Sequence, residues 1–124
     1  MALILVAGGL MFSAVPMIAH HGTAASYDQD TWVTVEGTVT EFVWRNPHSA
    51  LFLEVADDDG NTFEYAIELA SPGLMVRQGY TRELFNVGDT VSIEVHPSRM
   101  DTPVGECLFT CDYVVNGELV EPAQ

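Results

Sequence analysis

The chain of 124 residues has the length of one domain, and it carries 18 acidic residues against four arginines, for a net charge of −14. This charge excludes nucleic acid as a partner and disfavours anionic membrane surfaces, because both are bound through cationic side chains. Metal ions, cationic ligands and basic protein surfaces are the partners that the charge favours.

The first 19 residues contain no charged side chain and are typical of an export signal. Residues 2–15 are apolar, Pro16 interrupts them, and Ala19 suits the last position before cleavage. An uncleaved membrane anchor is the alternative, but the missing flanking charges favour a cleaved signal. We therefore expect a periplasmic or extracellular protein with no stable membrane insertion after cleavage. Its predicted parts are a signal peptide (1–19), an N-terminal arm (20–30) and a barrel domain (31–124).

Alternating apolar and polar residues predict β-strands along most of the remaining chain. In the first strand, over 32–44, the valines at 33, 35, 39 and 43 share one face, and Gly37 suggests a bulge or a coil where the strand bends. The same alternation predicts further strands at 49–56, 62–69, 90–96 and 106–115, with a short closing strand at 118–120.

Turn and capping residues divide these strands. The Asp-Gly pair within 57–61 is typical of a hairpin. A calcium loop is not favoured there, because the glycine falls at the wrong loop position and the flanks alternate like strands. Ser71 before Pro72 predicts the start of a short helix that ends at Gly79. The order β-β-β-α-β-β predicts an all-β fold, a small five-stranded OB-like barrel with one short helix, and the alternative is an open sandwich.

Several short motifs occur in order along the chain: His20-His21-Gly22, Tyr27-Asp28, Gly37-Thr38-Val39, Trp44-Arg45-Asn46-Pro47-His48, Gly79-Tyr80-Thr81-Arg82 and Gly88-Asp89. Together they resemble a family of small secreted bacterial proteins, a domain of unknown function. The resemblance implies export and a small β-barrel, and it implies no activity. The chain departs from the family pattern at Gly22, usually Ser, at Tyr80, usually Trp, and in having Cys107 and Cys111.

The four histidines are candidate metal ligands. If cleavage follows Ala19, the free α-amino group and the imidazole of His20 can chelate one ion, and another imidazole would complete a three-nitrogen site suited to Cu(II). His21 and His48 are the candidates for that third ligand, and His96 is a more distant one. The alternative is a structural role, in which an imidazole such as that of His48 satisfies a backbone carbonyl in its turn.

Cys107 and Cys111 lie four residues apart on a predicted strand. At about 3.3 Å per residue their Cα atoms would be roughly 13 Å apart, beyond the limit of about 7 Å for a disulfide. We therefore expect buried thiols. An intrachain bridge would require a tight turn at 108–110, and a bridge to another chain is a further alternative.

No catalytic motif with a nucleophile and its base is present, and Glu64 and Glu68 fit a solvated strand face. We assign the aromatic side chains of strands and turns to packing in the core or at its rim: Trp32, Trp44, Phe52 and Tyr65.

The sequence leaves several functions open. The favoured hypothesis is an exported noncatalytic binding module. The alternatives are a periplasmic copper-binding protein and a structural subunit, which would meet a protein partner or a second copy of itself through exposed strands. An oxidative copper enzyme is the least favoured, because no substrate platform is identifiable.

Overall fold

A computed structural model describes residues 23–123. Its helices and strands follow the chain as α1 (Thr23–Ser26), β1 (Val33–Val43), β2 (Ala50–Ala56), β3 (Thr62–Leu69), α2 (Pro72–Arg77), β4 (Thr90–Pro97), β5 (Val104–Cys107), β6 (Val114–Val115) and β7 (Glu118–Leu119). Neither helix within this range has the length and apolar character needed to cross a bilayer.

Strands β1 to β5 close into a barrel in the order β1-β2-β3-β5-β4-β1. β3 and β5 are parallel, and the other neighbouring strands are antiparallel. The helix α2 lies between β3 and β4 in the chain. This closed five-stranded barrel with one short helix between its third and fourth strands confirms the predicted fold class.

The interior of the barrel is apolar and closely packed. The strand residues that fill it alternate with exposed neighbours, as the sequence pattern predicts, and are at most 2% exposed: Val39, Leu51, Leu53, Ile67, Val91, Ile93 and Val95. Met75 of α2 is also fully buried. Tyr113 joins this core and packs edge to face against Tyr80 and Phe85. The interior therefore holds no water-filled channel of the kind that large barrels enclose.

β1 bends where it changes partners. Its first half pairs with β4 and its second half with β2, and Thr38 is in register with both. A Cβ atom at Gly37 would lie 2.5 Å from the backbone oxygen of Glu54, so only glycine fits at this bend without a shift. The bulge lies further on, between Val39 and Glu41, and it shifts the alternation by one residue. Phe42 therefore packs against the core, and the prediction that Val43 shares the face of the earlier valines is wrong. The glycine therefore permits close strand approach rather than forming the bulge.

The predicted turns and helix cap are confirmed. Ser71 caps α2 with its side-chain oxygen, and the chain leaves the helix at Gly79, whose φ is 89°. In the hairpin between β2 and β3 the amide of Asp57 donates to the carbonyl of Asn61 at 2.8 Å. Gly60 in that hairpin has a φ of 82°, in the left-handed region that favours glycine.

The fifth strand is shorter than predicted. β5 ends at Cys107, and a disulfide joins Cys107 to Cys111 with their Cα atoms 5.9 Å apart. The expectation of buried free thiols is therefore wrong, because the chain leaves the strand and turns at 108–110. Both cysteines are used within the chain, so neither is available to bridge to another chain. β6 and β7 form the short closing hairpin that the sequence predicts.

Candidate functional site

The N-terminal arm lies on the outside of the barrel beside the end of β4. Tyr27 forms an isolated bridge with the residue after β4, and the amide of Asp28 donates to the last carbonyl of that strand at 2.9 Å. Nε of Arg99 donates to the carbonyl of Ala24 at 3.1 Å. These contacts hold the arm in place, and its side chains reach across the outer face of the neighbouring strands.

Three polar side chains stand next to each other on that outer face. Strand register pairs Glu68 of β3 with Glu106 of β5, and Glu106 with His96 of β4. We call these three residues the polar row. Two carboxylates on adjacent strands repel each other, so each needs hydrogen-bond donors to be stable there. The arm and the loop before β2 supply those donors.

Glu68 receives a hydrogen bond on each of its carboxylate oxygens. The hydroxyl of Tyr27 donates to Oε2 at 2.9 Å, and Nδ1 of His48 pairs with Oε1. Burial, followed by the hydrogen bond to Glu68 and the nearby carboxylate charges, raises the pKa of Tyr27 well above its ordinary value, so the hydroxyl remains a donor. Glu68 is therefore on the outer face as predicted but only partly solvated, with its side chain 30% exposed, whereas Glu64 on the same strand is exposed.

His48 is positioned by the loop that leads into β2. The backbone amide of the following residue, Ser49, donates to the carbonyl of Ala70 at 3.1 Å and so extends the pairing of β2 with β3. His48 has the same strand parity as Ala50, which is the register partner of Glu68. Its ring therefore lies on the face that carries Glu68. Because Nδ1 is engaged there, Nε2 is the ring nitrogen left for another partner, and the side chain is 40% exposed.

Glu106 is the most enclosed member of the polar row, at 2% exposure. Its Oε1 accepts a hydrogen bond from Nε2 of Gln29. Its Oε2 has no hydrogen-bond partner among residues 23–123. A buried carboxylate oxygen without a donor is unusual in a native protein, and such groups concentrate where water, an ion or a ligand completes the site.

His96 lies at the other end of the polar row. Its Nδ1 donates to the carbonyl of Thr31 at 2.9 Å, and its ring packs on Trp32 with the centroids 3.7 Å apart. Two strand spacings, about 10 Å, separate the backbones of His96 and Glu68. The described residues therefore do not bring His96 beside His48. Its role as a distant metal ligand stays a prediction.

The other two predicted ligands, His20 and His21, lie outside the described residues. Within 23–123, no three His, Cys, Asp or Glu side chains are close enough together to hold a metal ion. A site with three such ligands at His48 would therefore need ligands from outside this range.

A family model described as a family of unknown function, DUF6152, matches residues 8–106. The chain belongs to this family. The matched range includes the arm, His48 and the whole polar row. No curated protein and no solved structure matches the chain. Membership agrees with the resemblance that the motifs indicate, and it assigns no activity.

The sequence located His48 but missed the carboxylates that surround it. Glu68 and Glu106 lie 38 residues apart in the chain, and only strand pairing makes them neighbours. Tyr27 was a usable signal, since it is a large side chain in an otherwise polar arm. Chemically, the assembled group offers an oriented imidazole nitrogen and a buried carboxylate, which are both suited to binding a cation.

Proposed function

We propose that this protein is an exported, noncatalytic binding module that holds a copper ion between His48 and the histidines at positions 20 and 21. The observation that carries the proposal is the hydrogen-bonded chain from Tyr27 through Glu68 to His48. Histidines that bind metals commonly donate their second ring nitrogen to a carboxylate, which fixes the tautomer and the ring orientation. His48 has this arrangement, with Nε2 left as the ligand atom.

The position of Tyr27 supports a contact between His48 and the beginning of the chain. Tyr27 follows His21 by six positions, and six residues span at most about 20 Å. Tyr27 is itself linked to His48 through the two oxygens of Glu68. If export removes residues 1–19, the α-amino group and imidazole of His20 become available as nitrogen ligands. Nitrogen ligands of this kind suit Cu(II), and the net charge of −14 attracts cations.

The mature amino terminus is the first test. Mass spectrometry of the exported protein is expected to find His20 as the first residue. Any other first residue removes the predicted chelate by the amino group and would contradict this part of the proposal.

The second test is a Cu(II) titration of the mature protein. Calorimetry measures the affinity, and electron paramagnetic resonance identifies the nitrogen ligands. His48→Ala is expected to lower the affinity by more than about tenfold and to remove one imidazole nitrogen from the spectrum. Glu68→Ala is expected to lower it by about tenfold, the usual effect of losing a carboxylate that orients a ligating histidine.

Matched controls lie on the same face. Glu64→Ala removes the same side chain from an exposed position of β3, and His96→Gln removes an imidazole from the far end of the polar row. Both are expected to bind copper within twofold of the wild type. Equal affinity in the wild type and His48→Ala would overturn the proposal and leave only adventitious binding at the amino terminus.

A further inference from the structure

A cavity of about 150 Å³ lies between the arm, the end of β4 and the disulfide-closed turn. Glu106 and Gln29 form its polar part, and Trp32, His96 and Phe109 supply aromatic rings. It lies across the polar row from His48, and it is separate from the copper site proposed above. Its volume is well below the about 300–1,000 Å³ of sites that enclose drug-sized ligands, so it has room for one small chemical group.

The carboxylate of Glu106 indicates what that group must provide. The side chain is 98% buried, and only Oε1 has a donor among the described residues, from Gln29. Oε2 is a buried acceptor to which no group of residues 23–123 donates a hydrogen bond. A ligand with an N–H group would satisfy this oxygen, and a positive charge on that ligand would make the hydrogen bond stronger.

The aromatic residues indicate the same ligand class. Trp32 is 49% exposed and Phe109 is 64% exposed, although both are large apolar side chains beside a buried carboxylate. Aromatic faces attract organic cations, and Trp does so most strongly. None of the four arginines lines the cavity, so no guanidinium of residues 23–123 neutralises Glu106 there.

We propose that this cavity binds an organic cation with N–H donors, an alkylammonium or a guanidinium group. Oε2 of Glu106 accepts a hydrogen bond from the cation, and Trp32 covers its face. The remainder of the ligand extends into solvent. The overall negative charge raises the local concentration of such cations.

The indole N–H signal of Trp32 in a ¹⁵N-correlated NMR spectrum of the mature protein reports on the cavity, and Trp32→Phe assigns it. Methylguanidinium and methylammonium are expected to shift this signal saturably at constant ionic strength. N-methylurea, which is neutral and close in shape to methylguanidinium, is expected to leave it unchanged. An equal shift with N-methylurea, or no saturable shift with either cation, would overturn the proposal.

Glu106→Gln keeps the shape of the side chain and removes its charge. It is expected to weaken methylguanidinium binding by about tenfold, since charge-assisted hydrogen bonds are roughly twice as strong as neutral ones. The control Glu41→Gln makes the same change at an exposed position of β1, and its affinity is expected to stay within twofold. If Glu106→Gln does not fold, Trp32→Ala at its half-exposed position takes its place; because it lacks the reporting indole, its affinity is measured by calorimetry beside the wild type, with an expected loss of about fivefold. Wild-type affinity in a folded Glu106→Gln or in Trp32→Ala would contradict the proposal.

Two further measurements identify the source of the cation and separate this site from copper. A capped Gly-Arg-Gly peptide and its citrulline analogue are compared with methylguanidinium. If the arginine peptide binds more tightly than methylguanidinium and the citrulline peptide does not bind, the natural ligand is a side chain of a basic protein. If the arginine peptide binds no more tightly than methylguanidinium, the natural ligand is a free small cation. His48→Ala is expected to bind methylguanidinium like the wild type, so either proposal can fail without the other.

Discussion

The inside of the barrel and its outer face beneath the arm are formed by alternate residues of the same strands, yet they treat polar groups in opposite ways. Inside, apolar side chains such as Leu53 and Ile67 are fully buried and satisfy each other by packing. Outside, Glu68 and Glu106 stand on adjacent strands and depend on donors from the arm and from the loop before β2. Within residues 23–123, the interior has one buried polar side-chain atom without a hydrogen-bond partner, the hydroxyl of Ser49, whereas the outer face has a carboxylate oxygen without one.

This difference separates the part of the protein that supplies stability from the part that is available for binding. Apart from the hydroxyl of Ser49, the closely packed core consists of apolar side chains, so its main contribution is to stabilise the fold. The polar row includes a buried carboxylate oxygen, and His48 beside it is an imidazole oriented by Glu68; both gain from a further partner. Substitutions inside the barrel should consequently affect the stability of the fold, and substitutions on the outer face should mainly affect binding. The sizes of their effects on stability should also differ.

The largest effect on stability is expected for substitutions inside the barrel. Leu53→Ala should lower the free energy of unfolding by about 2–5 kcal/mol, because it removes buried methyl groups and leaves a cavity. Urea denaturation followed by circular dichroism measures the change. Glu36→Ala on the exposed face of β1 is the control and should change it by less than about 0.5 kcal/mol. A similar small effect for Leu53→Ala would break the distinction between the two faces.

The disulfide should have the next largest effect. It closes a loop of only five residues, for which chain entropy predicts about 2 kcal/mol of stabilisation. The double variant Cys107→Ala with Cys111→Ala and the reduced wild type should both lose about this amount in urea denaturation. Reduction keeps both sulfur atoms, so agreement between the two assigns the loss to the cross-link. A reduced protein as stable as the oxidised one would contradict this expectation.

Tyr27 tests the outer face of the barrel, because its hydroxyl makes the stability of the protein depend on pH. The folded protein keeps its hydroxyl protonated, while an unfolded chain ionises it from about pH 10, so stability should fall above that pH by about 1.4 kcal/mol per unit for this residue. Tyr27→Phe should be less stable by about 1 kcal/mol at pH 7, because the hydrogen bond to Glu68 is lost. Above pH 10 its stability should fall less steeply.

Urea denaturation at several pH values between 7 and 11 measures both effects. Identical slopes for the two proteins above pH 10 would show that the hydroxyl of Tyr27 ionises equally easily in the folded and unfolded states. Such a result would also mean that the arm does not shield Glu68 from solvent.

The sequence by itself determined the features that depend on residues close together in the chain. Alternation set which side of each strand faces the core, Ser71 and Pro72 set the start of α2, and the Asp-Gly pair set the hairpin after β2. Because these signals are local, they predicted the barrel and its element order, but they did not place the bulge of β1, which lies beyond Gly37 and turns Val43 away from the core.

Only the tertiary structure decided which polar residues meet. Strand register makes Glu106 a neighbour of Glu68 and His96, and the arm then covers a carboxylate whose residue type is normally exposed. The turn that pairs Cys107 with Cys111 interrupts a stretch that alternates like a strand, so spacing alone predicted the opposite outcome. The contacts of Glu106 join strands that are distant in the chain, and the disulfide depends on a tight turn that the alternation of residues does not reveal.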